Sequence, residues 1–255
     1  MIPIKKPNEI AIMEKAGKIL AEVLYEVLDH VKPGVSELEL DALAEELTLK
    51  KGGQPGFKKV PGYRHAICVA TNDVVVHGIP TDYKLKEGDI IGIDYGVFME
   101  GFHTDMAETV YVGDKDKMPS SLKRFLNIGK QGMLDGIAKV KSGNHIGDIS
   151  WAIQSQIEGK GGYGVTRSLI GHGVGRELHE EPEVPGYLEE PITRTPELVS
   201  GMTIAVEVIY TMGSPEVVYS GEDDWTIRSA DGSLGGLFER TVLVTPTGVK
   251  VLTER

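Results

Sequence analysis

Two segments of the sequence are alike at a fixed spacing, and this internal repeat constrains the fold more than any other feature. VKPGVSELELDALAEELTLKKGG begins at Val31, and VKSGNHIGDISWAIQSQIEGKGG begins at Val140, 109 residues later and without a gap. The period is too long for a solenoid. We therefore predict a single domain over residues 1–255, built from two halves of roughly 8–125 and 126–252. The alternative is a chance likeness between two capped helix pairs.

The order of elements is predicted to be the same in each half: two helices and then strands. Asn8 is expected to be the N-cap of the first helix, which apolar residues at helical spacing then follow. Ser36 and Glu39 form a capping box ahead of a second helix, which stops at Gly52. Two such halves can close a shared antiparallel sheet with helices outside it, an α+β fold with a ligand site between the halves.

The charge and composition exclude several classes of function. A net charge of −11 disfavours nucleic acid and anionic membrane surfaces as partners. Cys68 is the only cysteine, so there is no disulfide framework and a reducing compartment fits. The N-terminal residues lack a signal-peptide layout, and no stretch approaches the roughly 20 apolar residues that span a bilayer. We expect a cytoplasmic protein, and a monomer.

The stretch GHGVGRELHEEP, from Gly171, combines two histidines with closely spaced glycines. It lacks the third glycine of a dinucleotide fingerprint and the Lys-Ser or Lys-Thr of a phosphate loop. The glycines disfavour a helix, and the odd spacing of His172 and His179 would put them on opposite faces of a regular strand. The stretch therefore predicts a bent loop or an irregular strand whose backbone approaches another group closely.

A β-hairpin is predicted from Asp89 to Gly113, and it carries two aspartates. Asp94 lies among isoleucines on one arm and Asp105 on the other, roughly equidistant from the Glu-Gly turn, so we expect them to be neighbours across the ladder. Glycines two residues to either side of Asp94 are expected to leave space beside it. Two adjacent buried carboxylates repel unless a cation is present. The alternative is an aspartate that faces solvent.

Two further acids, Glu207 and Glu239, lie within apolar strands. Either one alone is most simply an exposed residue of a half-buried sheet. Together with the two aspartates and His172 they form a set of oxygen and nitrogen ligands that suits Mn, Fe, Co or Zn. Two divalent ions would cancel the four negative charges, and a pair about 3.5 to 4 Å apart activates a bridging hydroxide for hydrolysis.

The ordered set of five ligands resembles the dinuclear centre of the pita-bread metallopeptidases. CVATNDVVVHGIP, GHGVGRELHEEP and FERTVLVTPTG are similar to the type I methionine aminopeptidases in particular, and the resemblance covers essentially the whole chain. It implies a pita-bread fold, in which pseudo-two-fold duplicated halves share a curved antiparallel sheet with outer helices. It also implies removal of the N-terminal methionine from nascent proteins, with a preference for a small second residue.

The resemblance implies a role for each ligand. Asp94 would chelate one ion, Asp105 and Glu239 would bridge both, and His172 and Glu207 would hold the other. The cofactor would be two divalent ions (Co, Mn, Fe or Zn), with attack on the peptide by a metal-bridging hydroxide. Glu207 would also take the proton of the nucleophilic water.

Other residues are expected to bind the substrate, an N-terminal peptide. By the same resemblance, His77 and His179 would not bind metal but would hydrogen-bond the scissile peptide group and support the tetrahedral intermediate. The side-chain pocket would be apolar and aromatic, which suits an unbranched thioether. Its expected lining is Tyr63, Cys68, Leu178 and Trp225, although each of these is also compatible with a simple core role.

The sequence departs from the family's pattern beside the ligands. Val208 stands where proline is usual, Leu237 where glutamine is usual, and Leu178 where phenylalanine is common. Thr104 and Met106 also differ from the usual neighbours of Asp105. No ligand is lost, so these departures bear on rate and side-chain preference more than on metal binding.

Two rival functions fit parts of the sequence. An X-Pro aminopeptidase or dipeptidase of the same fold is favoured slightly by VEVIY, whereas HGIP and Trp225 favour the methionine enzyme. A non-catalytic binding protein of the same fold would be expected to lose ligands, and all five positions are filled here.

Overall fold

The α-helices lie in two pairs, one early and one late in the chain. The computed structural model describes residues 2–221 and 223–255. The helices are α1 (Pro7–Asp29), α2 (Glu37–Lys50), α3 (Ser120–Ile137) and α4 (Ile146–Gln154). A π-helical segment, Ser155–Gly161, continues α4. Short 3-10 helices occur at Phe57–Lys59, Lys115–Lys117 and Ile192–Arg194. Within the described ranges, no helix combines the length and apolarity needed to cross a bilayer.

Most strands belong to one large antiparallel sheet. The strands are β1 (Gln54–Pro55), β2 (Ile67–Thr71), β3 (Val74–Val76), β4 (Ile90–Met99), β5 (Phe102–Tyr111), β6 (Gly164–Val165), β7 (Gly171–Gly173), β8 (Glu180–Val184), β9 (Thr203–Thr211), β10 (Val217–Tyr219), β11 (Ile227–Ser229), β12 (Gly235–Val244) and β13 (Val249–Val251). The main path of the large sheet runs β1-β4-β5-β12-β9-β7-β8, with β2 on β4, β13 on β12 and β6 on β9. A smaller sheet has the order β10-β11-β3. The α+β class expected from the sequence is confirmed.

The start of α1 differs from the prediction. The helix begins at Pro7 with Lys6 as its N-cap, so the expectation that Asn8 is the N-cap was wrong. Proline is well suited to the first helical position because its missing N–H would have no partner there. The Glu9 carboxylate then accepts the Lys6 N–H at 2.8 Å, which closes the first turn without Asn8.

The predicted capping box of α2 is confirmed. The Ser36 hydroxyl accepts the Glu39 N–H at 3.2 Å, and the Glu39 carboxylate accepts the Ser36 N–H at 2.7 Å. The helix ends at Lys50, just before Gly52, which has a φ of 82°. This left-handed conformation favours glycine, so the Gly-Gly pair is a physical stop signal.

The two helix pairs are held in the same way. Gly34 N–H donates to the Leu85 carbonyl at 2.8 Å, and Gly143 N–H, at the matching place in the repeat, donates to the Leu198 carbonyl at 3.0 Å. α1 packs on β4 and β5, whereas α3 packs on β9 and β12. These matching contacts support a duplication, and the exact division into halves stays a prediction.

Side chains alternate along the strands, so one face of the sheet packs against the helices and the other face points away from them. Ile93 and Tyr95 of β4 join a core with α1 and α2, and Val206 and Val208 of β9 join a core with α3 and α4. Successive side chains of a strand point to opposite faces. The residues between these core positions, including Asp94 and Glu207, therefore point away from the helices.

Gly17 lets α1 pack directly on the chain after β13. A Cβ at Gly17 would lie 2.7 Å from the carbonyl carbon of Leu252. We expect Gly17→Ala to lower the free energy of unfolding by about 1–3 kcal/mol, because overpacking outweighs the better helix propensity of alanine. Urea denaturation measures the effect. The matched control is Gly159→Ala, where nothing lies within 4 Å of the added Cβ; equal stabilities for the two variants would contradict the prediction.

Candidate metal centre and substrate cleft

The side of the sheet that faces away from the helices opens onto a cavity of about 280 Å³. Every residue that the sequence predicts for the site lines this cavity. They are Tyr63, Cys68, His77, Asp94, Asp105, His172, Leu178, His179, Glu207, Trp225 and Glu239. The structure therefore brings all of these residues together at one cavity. The role of each one stays a prediction.

Asp94 and Asp105 share one face of the β4–β5 hairpin. They are neighbours across the ladder, as the sequence predicted, but they are offset from each other: Asp94 pairs with Ala107, and Asp105 pairs with Gly96. The reason is that Asp105 lies two residues closer to the turn than Asp94 does. The two carboxylates are therefore diagonal neighbours, which is still within reach for side chains on one face.

The expectation that the glycines flanking Asp94 leave open space beside it was wrong. A Cβ at Gly96 would lie 2.9 Å from the Phe57 ring, and one at Gly92 would lie 3.1 Å from Ala70 Cβ and from Thr109 Oγ1. These glycines instead admit neighbouring side chains. Phe57 reaches the cavity this way, and sequence reasoning missed it because the residue is distant along the chain.

Glu207 and Glu239 are directly opposite each other in the β9–β12 ladder. The ligand atoms of Asp105, His172 and Glu239 lie within 4.8 Å of one another. His172 Nε2 is 3.9 Å from the nearer Glu207 carboxylate oxygen. Strands from both parts of the chain therefore bring carboxylate and imidazole groups to one point.

The two histidines of GHGVGRELHEEP meet at the cavity. Their rings pack edge to face with centroids 4.3 Å apart. His172 lies on β7, where the register with β8 shifts, and His179 ends the loop that follows. A Cβ at Gly171 would lie 2.6 Å from the Ala205 carbonyl oxygen, and one at Gly173 would overlap the backbone of β8. The predicted irregular strand with close backbone approach is confirmed.

His77 is held in an unusual backbone conformation. Its φ is 56°, a left-handed value that is uncommon outside glycine and often marks functional sites. Burial, and then the nearby His179, lower the pKa of His77 to about 4. Burial also lowers the pKa of His179. Both imidazoles are therefore neutral at pH 7 and can donate or accept hydrogen bonds.

Burial sets the electrostatics of the four acids. It raises the pKa of Asp94 to about 7 and that of Glu207 to about 8. The pKa values of Asp105 and Glu239 are raised well above the usual range, first by burial and then by the neighbouring carboxylates. Such a cluster keeps its negative charge at neutral pH only when a cation balances it.

The donor set fits divalent ions. One buried oxygen of Asp94 and one of Glu239 have no hydrogen-bond partner, and orphaned carboxylate oxygens are what a metal requires. The His172 Nδ1–H donates to the Gly173 carbonyl at 2.8 Å, which directs the Nε2 lone pair to the cavity. Burial lowers the pKa of His172 to about 3, so the ring is in the neutral form that binds metals.

Residues 11–246 match the model of metallopeptidase family M24. The chain belongs to this family. Its fold is the pita-bread fold, as the sequence resemblance implied. Membership implies the use of a divalent metal, which agrees with the cluster of carboxylates and imidazole.

This M24 chain is similar over its full length to methionine aminopeptidases. It is 41% identical to the methionine aminopeptidase of Clostridium perfringens and 40% identical to methionine aminopeptidase 1 of Bacillus subtilis, each over 99% of both chains. The crystal structure of methionine aminopeptidase from Thermotoga maritima superposes with a TM-score of 0.95 at 39% identity, and each chain is covered completely.

An apolar pocket adjoins the ligand cluster of this M24 chain. Phe57, Tyr63, Cys68 and Leu178 form one buried cluster, with Trp225 packed against it. The Tyr63 and Trp225 rings pack edge to face with centroids 5.1 Å apart. Burial raises the pKa of the Cys68 thiol, which disfavours the reactive thiolate, and its role as a pocket-lining residue stays a prediction.

Sequence reasoning missed the residues that support the ligands from the strands beside them. The Thr241 hydroxyl donates to the Asp105 carbonyl and accepts the Asp105 N–H, both at 2.8 Å. Arg240 is buried next to Glu239 and binds the Glu108 carboxylate at 2.6 Å. The only signal for either was a polar residue within an apolar strand, which is also common on exposed sheet faces.

The departures from the family pattern leave the ligand positions intact. Val208 points to the helix-facing core. Leu237 is buried in a small cluster with Ile209, which lines the cavity. Thr104 is fully buried on β5. Of these positions, Leu178 is the one that lines the cavity. It is therefore the departure best placed to change which substrate side chain the pocket accepts.

Protein freed of divalent ions is expected to lose stability as the pH rises. The pKa is raised from 3.8 to about 7 for Asp94 and from 4.5 to about 8 for Glu207. Below about pH 6.5 the lowered pKa values of the buried histidines, His77 and His172 among them, oppose this effect. Above that pH the folded state binds more protons than the unfolded state, and the free energy of unfolding falls as the pH increases from about 6.5 to about 8. Urea denaturation of chelated protein at a series of pH values measures this slope.

The control for this prediction is Glu207→Gln, which removes one titrating group and should flatten the slope. Saturating Mn²⁺ or Zn²⁺ should reverse it, because metal binding releases protons and strengthens with pH. A chelated wild type whose stability rises over the same interval would contradict the prediction.

Proposed function

We propose that this chain is a methionine aminopeptidase that removes the N-terminal methionine from nascent proteins, with a preference for a small second residue. The observation that carries the proposal is one cavity in which a carboxylate–imidazole cluster adjoins an apolar aromatic pocket. The name shared by full-length relatives supports it. A pocket of this kind favours an unbranched thioether over a charged or branched side chain.

Two divalent ions would be held by the five candidate ligands. Asp105 and Glu239 would be shared between them, Asp94 would bind one ion, and His172 and Glu207 would bind the other. When bound, the ions supply Lewis acidity, which lowers the pKa of water and polarises the scissile carbonyl. Mn, Fe, Co and Zn all suit this ligand set. The diagonal Asp94–Asp105 pair and the opposed Glu207–Glu239 pair support the assignment.

Glu207 is the proposed general base. Its carboxylate accepts the proton of the attacking water and later gives that proton to the departing amine. Bound cations would favour the ionised form of this carboxyl, which can then accept a proton and return it. Burial of Glu207 beside His172 supports this role, since the proton is then shielded from bulk water.

His77 and His179 are proposed to bind the scissile peptide group. Neutral imidazoles donate hydrogen bonds to the peptide oxygen as negative charge develops on it. Both histidines line the same cavity, His77 half-buried and His179 more exposed. Tyr63, Cys68, Leu178 and Trp225 would contact the methionine side chain.

The first experiment is a peptidase assay on Met-Gly-Met-Met and on an X-Pro peptide. The protein is chelated and then reconstituted with Mn, Fe, Co or Zn. Methionine release that metal restores is the expected result. Cleavage restricted to the X-Pro peptide would replace the proposal with a prolidase activity. Two bound ions without cleavage of either peptide would favour a binding protein.

Substitutions should separate metal ligands from substrate contacts. Asp105→Ala and Glu239→Ala should abolish both bound metal and turnover. His179→Ala should keep the metal and lower kcat by about 10²- to 10³-fold, the usual cost of removing one oxyanion donor. Metal content by atomic emission and steady-state kinetics on Met-Gly-Met-Met measure the two effects. Loss of the metals in His179→Ala would show that the division between the two histidines is wrong.

A further inference from the structure

Lys5, just ahead of α1, makes a buried ion pair with a residue distant in the sequence. Its Nζ lies 2.5 Å from a carboxylate oxygen of Glu180, and the two side chains are only 4% and 8% exposed. Lysine is almost never buried to this extent unless it is paired. Breaking such a pair leaves an uncompensated buried charge. The contact is therefore a strong constraint on both segments.

The second oxygen of the Glu180 carboxylate closes the loop that carries His179. It accepts the N–H of Arg176 at 2.7 Å and that of Glu177 at 3.2 Å. The same loop passes close over Lys5, because a Cβ at Gly175 would lie 2.7 Å from the Lys5 Nζ. One carboxylate thus joins the loop to the segment before α1.

Lys5 is itself anchored from outside the loop. Its backbone N–H donates to the Gly201 carbonyl at 2.8 Å. Gly201 has a φ of 95°, and a Cβ there would lie 2.7 Å from Ile4 Cγ2. The backbone at Lys5 is therefore tied to the turn before β9, independently of the loop that its ammonium contacts.

A second ion pair to the loop is much weaker. Arg176 lies 2.6 Å from the Glu9 carboxylate, but its side chain is 65% exposed. Exposed pairs contribute little because solvent screens them. The buried Lys5–Glu180 pair is thus the principal tie between the loop and the N-terminal segment.

We propose that Lys5 is a positioning residue for His179. By fixing Glu180, it keeps the loop from Val174 to His179 closed, so that the His179 ring stays against His172 at the cavity. The inference rests on the proposed role of His179 in binding the peptide group. A displacement of the His179 ring by about 1 Å is enough to lower the rate on the order of 10²-fold.

The test compares Lys5→Met with Lys250→Met in the metal-loaded protein. Lys250 makes an exposed ion pair with Glu14 at 2.6 Å, so its substitution controls for loss of a lysine. Lys5→Met should lower kcat by about 10- to 100-fold at unchanged metal content. It should also speed amide hydrogen exchange at Arg176 and Glu177, whereas Lys250→Met should change neither quantity.

A second variant separates positioning from folding. Lys5→Met combined with Glu180→Met replaces the buried pair with apolar side chains of similar length, a change that is often neutral for stability. We expect this double variant to fold and bind metal but to keep the low kcat, since the loop has lost its acceptor. In a His179→Ala background, Lys5→Met should lower kcat no further.

Three results would overturn the inference: wild-type kcat in the folded double variant, unchanged exchange at Arg176 and Glu177 in Lys5→Met, or additive losses with His179→Ala. The exchange measurement needs no turnover. If the wild type cleaves no peptide, the proposed function fails, and hydrogen exchange still decides whether Lys5 holds the loop closed.

Discussion

Burial of four carboxylates in one cavity is the constraint on which the rest of this structure depends. Asp94, Asp105, Glu207 and Glu239 all have raised pKa values because water is excluded from around them. Burial and mutual repulsion both disfavour the ionised forms, so a charged cluster opposes folding unless a cation balances it. The wide antiparallel sheet places each acid on a strand that is flanked by other strands on both sides.

The junction between β5 and β12 is held by a buried guanidinium as well as by the strand ladder. The Arg240 guanidinium donates to the Glu239 carbonyl at 2.7 Å, to the Ala107 carbonyl at 3.1 Å and to the Tyr25 hydroxyl at 3.0 Å. With its ion pair to Glu108, it joins α1, β5 and β12 at one buried point. Asp105 and Glu239, the two proposed shared ligands, thus lie on strands that a single cation holds together.

Features that depend on neighbouring residues could be predicted from the sequence. Contacts between segments that are far apart in the chain could not. The capping box of Ser36, the long hairpin and the close backbone approach at Gly173 all follow from residues near one another in the chain. The diagonal offset of Asp105 from Asp94 follows from the Glu100-Gly101 turn that the sequence predicted, because Asp105 lies two residues nearer to that turn than Asp94 does. Phe57 beside Gly96 and Lys5 beside Glu180 are contacts between remote segments, and no local pattern encodes them.

The packing of α1 on Leu252 also affects how the chain is made. One face of α1 joins a cluster that includes Met13, Phe102 and Leu243 as well as Leu252. A ribosome completes α1 early and reaches Leu252 only after an interval on the order of tens of seconds. Throughout that interval β4 and β5 can already cover much of α1, but the side around Gly17 lacks its native contact with Leu252 and stays open to non-native apolar contacts.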